Sequence, residues 1–139
     1  MTAMTTLSSI IVQDVELMPA ALAPGVLYVS ARFRTAAHLC ACGCGTKVVT
    51  PLKAGGWSLT KTRDGMVSLD PSIGNFNLPC QSHYWIRAGN IVWARPWTQE
   101  QIVAGRAHDH ALRQAHLAQH QLHWLRRVGR WIKSVLSIR

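Results

Sequence analysis

Four cysteines gathered in two tight groups constrain this 139-residue chain more than any other feature. The first group is His38-Leu39-Cys40-Ala41-Cys42-Gly43-Cys44-Gly45, and the second is Cys80-Gln81-Ser82-His83. In a reducing compartment, cysteines at such spacing point to a metal site rather than to disulfides. Zinc takes four ligands in a tetrahedron, and thiolate and imidazole supply them. Glycines between the cysteines let the backbone turn so that neighbouring sulfurs face one ion. Bound zinc contributes on the order of 10 kcal/mol of folding free energy, which a small domain has few other ways to find. Two ligand sets remain open on spacing alone. One uses Cys40, Cys42, Cys44 and Cys80 and leaves His83 free. The other drops one clustered cysteine and recruits His83, with His38 a further candidate. Buried, unligated thiols and a disulfide are the plainer readings of the same residues.

The rest of the first hundred residues reads as short strands separated by turns. Expected strands are 10–15, 26–30, 47–50, 57–60, 66–69, 83–87 and 91–94, rich in Val, Ile, Tyr and Trp. Tyr84-Trp85-Ile86 and Ile91-Val92-Trp93, joined by Arg87-Ala88-Gly89-Asn90, read as a β-hairpin. An apolar content of 48% with six tryptophans is enough for a core and excludes a disordered chain. No apolar run reaches the ~18–20 residues of a membrane span, and the N-terminal stretch lacks the basic start of a secretory signal. A cytoplasmic location is expected.

From Trp97 the pattern changes. Thr98 with Gln101 forms a capping box at the start of a proline-free, helix-periodic tail. One long helix, or two joined near Gly105, is expected. Residues 1–97 then form a zinc-stabilised β-rich domain and 98–139 a basic amphipathic tail, an α+β chain. Charge is uneven. Residues 1–100 hold eight Lys/Arg against five Asp/Glu, and 101–139 hold seven against one. At ~100° per residue, Leu122, Trp124, Leu125, Val128, Trp131, Ile132, Val135 and Leu136 fill one half of the wheel, and Arg126, Arg127, Arg130 and Lys133 the other. Such a face suits packing on its own domain, a partner helix or oligomer through 122–136, or an anionic membrane surface. His116, His120 and His123 share a helix face, a spacing more often found in solvated histidines than in metal ligands.

Several runs together resemble a known family. They are Gly25-Val-Leu-Tyr-Val-Ser30, His38 to Gly45, Val48-Val-Thr-Pro51, Trp57-Ser-Leu59, Ser68-Leu-Asp-Pro-Ser-Ile-Gly-Asn75 and Cys80-Gln-Ser-His-Tyr-Trp-Ile86. In this order they resemble the bacterial and phage family catalogued as domain of unknown function 6527, over roughly residues 24–98. The resemblance implies a compact zinc-binding domain from operons that encode ubiquitin-like proteins and homologues of their activating and conjugating enzymes. It further implies a deubiquitinase-like serine peptidase, a hydrolase that trims or deconjugates the ubiquitin-like protein.

Serine chemistry needs a nucleophile, a base and oxyanion donors. Ser72, between Pro71 and Ile73-Gly74, is the candidate nucleophile on an expected sharp turn, with backbone N–H groups around Gly74 as donors. Its plainer role is a turn or cap residue. His83 is the first candidate base if the cysteines alone hold the metal, and His38 the second. Asp70 or Asp64 is the candidate for orienting the imidazole. Ser82 carries the same hydroxyl but lies on the opposite face of an extended segment. A zinc-bound water is a weaker alternative, because no His-Glu-x-x-His motif is present. Trp57, Tyr84, Trp85 and Trp93 suit either core packing or a peptide groove. Three classes of function follow: a serine peptidase, a non-catalytic zinc module that binds proteins, and a nucleic-acid-binding zinc module suggested by the basic tail.

Overall fold

In a computed structural model of the chain, residues 5–137 are described. They form eight strands and one helix, in two units that divide after Pro96. The fold is α+β, as expected.

The strands of the first unit make two four-stranded sheets. In the first sheet β1 (Ile11–Asp14) pairs in parallel with β2 (Val26–Ser30), which continues antiparallel into β3 (Thr35–Leu39) and β4 (Lys47–Pro51). The second sheet is an antiparallel meander of β5 (Ser58–Lys61), β6 (Val67–Gly74), β7 (His83–Arg87) and β8 (Asn90–Trp93). Both contribute to one core. Leu27, Val29 and Ala36 from the first sheet and Val67, Leu69, Ile73, Tyr84, Ile86 and Ile91 from the second belong to a single buried cluster. The residues before β1 join the far edge of the second sheet, with Ile91 N donating to Ser8 O at 2.9 Å and Ile10 N to Gly89 O at 2.8 Å.

Two strands depart from expectation. β3 falls outside the expected strands, because Thr35-Ala-Ala-His-Leu39 has weak strand propensity and reads as the approach to the cysteines. Its alanines, both at 0% exposure, are selected for close packing in the core instead. The expected strand 66–69 extends through Gly74 as β6, so Ser72 lies within a strand and not on a turn. The hairpin is as expected, with Arg87 opposite Asn90 and Ala88-Gly89 at positive φ (46° and 76°), the conformation of a two-residue β-turn.

The second unit is one helix, α1 (Gln99–Leu136), uninterrupted at Gly105. Thr98 Oγ1 accepts from Gln101 N at 3.3 Å while Thr98 N donates to Gln101 Oε1 at 2.9 Å, closing the capping box. Glu100 in the first turn and Lys133 in the last complement the helix dipole. Leu122, Trp124, Leu125, Trp131, Ile132, Val135 and Leu136 are all exposed. No helix among the described residues is long and apolar enough to cross a membrane.

Candidate active site and metal centre

β6 and β7 position the chemistry. Their register passes from Leu69 opposite Ile86 to Ile73 opposite Tyr84, so Asp70-Pro71-Ser72 face Trp85 alone. Such a bulge re-aims side chains that a regular ladder would alternate. The outcome is a hydrogen bond between His83 Nε2 and Ser72 Oγ at 2.8 Å. His83 is 6% exposed, and its ring meets those of Phe76 and Trp85 with centroids 5.2 Å and 5.3 Å away. Burial lowers the His83 pKa below the usual 6.5, so the imidazole is neutral near pH 7. Trp57 Nε1 donates to the Ser72 carbonyl at 3.4 Å and ties this segment to the loop before β5.

The neighbouring cluster is built from the β3–β4 loop and the approach to β7. The ligand atoms of Cys40, Cys42, Cys44 and Cys80 all lie within 4.8 Å of one another, and all four thiols are free. Sγ–Sγ distances are 3.4 Å for Cys40–Cys42, 4.0 Å for Cys40–Cys80 and 3.9 Å for Cys44–Cys80. Sulfurs ~2.3 Å from a tetrahedral zinc stand about 3.8 Å apart, so the set fits a metal ion of that kind. Gly43 is indispensable to the knuckle. Its φ is +86°, and a Cβ there would approach Thr5 O to 2.8 Å.

A second layer of polar groups surrounds the sulfurs. Ser82 Oγ is 3.0 Å from Cys40 Sγ and accepts from Asn75 Nδ2 at 2.9 Å. Asn75 Nδ2 also reaches Cys40 Sγ at 3.6 Å. Burial pushes the Cys40 thiol pKa up, whereas hydrogen bonding to Thr46 pulls Cys44 down to about 6. Thiolates are the form that binds metal, and a bound cation draws the remaining thiols the same way.

The other sequence candidates sort as follows. His38 is fully buried, and its Nε2 is 2.8 Å from Tyr84 Oη rather than from Ser72. Burial lowers its pKa to about 4. Asp70 pairs with Arg87 at 2.7 Å, with both side chains about half exposed, and Asp64 lies exposed in the β5–β6 turn. Neither aspartate orients the imidazole in the way expected of it. Ser82 lies against Cys40, away from the dyad role. Tyr84 is a core residue at 0% exposure, its ring tilted 57° against that of Trp93 with centroids 5.2 Å apart. Sequence reasoning missed Asn75 and the structural use of Ser82. Their only signal was position beside Gly74 and Cys80, which gives no hint of contact with Cys40, 35 residues away from Asn75.

Comparison with known proteins agrees with the expected tie to a ubiquitin-like system. Neither a curated protein nor a solved structure matches the chain. A family model does, over residues 14–94, more than half of the sequence. It carries a name other than domain of unknown function 6527, the family that the motifs resemble. The two-sheet unit with its paired Ser72 and His83 and its four gathered thiols falls within the matched span, and the chain belongs to the family described as bacterial ubiquitination-like system serine protease (BubE).

Proposed function

We propose that the protein is a serine-type peptidase that processes or deconjugates a bacterial ubiquitin-like protein, with Ser72 as nucleophile, His83 as base and a structural zinc on Cys40, Cys42, Cys44 and Cys80. The observation that carries this reading is the 2.8 Å contact between His83 Nε2 and Ser72 Oγ, made by an imidazole that burial keeps neutral. Nucleophile and base within hydrogen-bond reach are what acyl transfer requires. The family description supports the substrate class.

In the reaction, Ser72 Oγ attacks the scissile carbonyl carbon while its proton passes to His83 Nε2. The tetrahedral adduct collapses, the C–N bond breaks, and the imidazolium returns the proton to the leaving amine. Water, deprotonated by the same imidazole, then attacks the Ser72 ester, releasing the carboxylate product and restoring the serine. The zinc takes no part in these steps. It would hold the β3–β4 loop and the segment before β7 together, and with them His83, three residues after Cys80. An all-thiolate set matches a closed, structural site.

Ser72→Ala tests this directly. Cleavage of a ubiquitin-like fusion falls by at least about a thousandfold, while zinc content and melting temperature stay near wild type. His83→Ala loses activity and keeps its zinc. Wild-type turnover by Ser72→Ala, or no cleavage of any such substrate by the wild type, overturns the reading in favour of a non-catalytic zinc module. Elemental analysis of protein purified without added metal gives one zinc per chain.

A further inference from the structure

β6 outruns its neighbour. β5 covers only Val67 to Asp70, with Ser58 opposite Asp70 as the last pair. Beyond it, no strand among the described residues pairs with Pro71–Gly74 on that side. Asn75 N donates to Ser82 O at 2.8 Å on the β7 side. Backbone groups alternate direction along the regular pairing from Ile73 to Asn75, so those of Gly74 face the open side. Trp57 Nε1 already meets the Ser72 carbonyl there. The N–H and carbonyl of Gly74 are left to a further strand.

A cavity of about 870 Å³ reaches Pro71, the residue before this edge, and is lined there by Arg34, Lys53, Gly55 and Trp57 among others. Its charges are unbalanced. Lys61 is paired with Asp14 and Asp70 with Arg87, which leaves Arg34 and Lys53 as cations without a carboxylate partner among the described residues. An exposed strand edge beside a cationic groove recruits an extended, acidic polypeptide, whose main chain supplies the hydrogen bonds and whose side chains meet the groove.

We propose that the open edge of β6 at Ser72–Gly74, with the Arg34/Lys53 groove, docks the extended chain of an acidic polypeptide by strand addition. This rests on the peptidase reading, because the edge ends at Ser72 and delivers the docked chain to that hydroxyl.

The experiment uses full-length Ser72→Ala protein and two fluorescein-labelled nonapeptides. One alternates Glu with Val and Thr, and the other has Lys at each Glu position. The acidic peptide binds at least tenfold tighter by fluorescence anisotropy and slows amide exchange at residues 72–74. Adding Arg34→Glu and Lys53→Glu together weakens it at least tenfold, and Lys53→Glu alone about threefold, with melting temperature confirming the fold in each. Equal binding of the two peptides, protection elsewhere, or no binding overturns the proposal, whether or not the wild type cleaves a ubiquitin-like fusion. Tight acidic binding with protection at 72–74 upholds it, even if the wild type cleaves nothing and the peptidase reading is lost.

Discussion

At the scale of residues, the site depends on two hydroxyls in different roles. Ser72 faces an imidazole, whereas Ser82, one residue before that imidazole, faces a thiol. The ionisation of His83 sets the first role. A base accepts a proton only when neutral, and burial lowers the His83 pKa below 6.5, so the neutral form persists into mildly acid solution. The acid limb of kcat/KM therefore lies below pH 6.5, and a limb at or above that value would count against His83 as the base. Ser82 Oγ is 3.0 Å from Cys40 Sγ, where it would support that thiolate as a metal ligand. Groups that hydrogen-bond metal ligands alter affinity by roughly 10–100-fold when removed. Ser82→Ala accordingly loses metal to a competing chelator at a lower concentration than wild type. Metal retention equal to wild type would assign Ser82 to packing alone.

Among elements, β6 and α1 show opposite dependence on context. The first four residues of β6 form a regular ladder with β5, but its last four are held by the bulge against β7 and by Trp57. Asp70, Pro71 and Ser72 have low strand propensity, which is why the strand is legible only to Leu69. The helix, in contrast, follows local rules throughout: cap, period and absence of proline suffice. Its two glycines are not equivalent. A Cβ at Gly129 meets nothing within 4 Å, whereas one at Gly105 would come within 2.8 Å of the Trp97 ring. Gly129→Ala stabilises α1 by about 1 kcal/mol. Gly105→Ala gains less or destabilises, because the indole must move. Thermal melting of both variants followed by far-ultraviolet circular dichroism separates these outcomes.

For the whole molecule, the cysteine cluster ties the β3–β4 loop of one sheet to the approach to β7 in the other. A metal there is linked to folding, so its removal is limited by local opening of the cluster. Chelator inactivates slowly, in step with loss of tertiary signal, and faster in mild denaturant. Inactivation on mixing, with the fold retained, would make the metal catalytic. The sequence by itself determined a helical tail with its N-terminal cap, the hairpin and the α+β class, because these rest on periodicity, capping and turn chemistry among residues a few positions apart; that the helix continues through Gly105 it left open. It also marked the cysteines, which are conspicuous by type and spacing. Tertiary structure decided everything that depends on distant residues meeting. β3 exists because two alanines fit a crowded core, despite weak local preference for a strand. His83 meets Ser72, and His38 meets Tyr84, because the register between β6 and β7 and the packing of the core select one partner for each. Such choices are absent from the linear pattern: two histidines of the same type differ only in what the folded chain sets beside them.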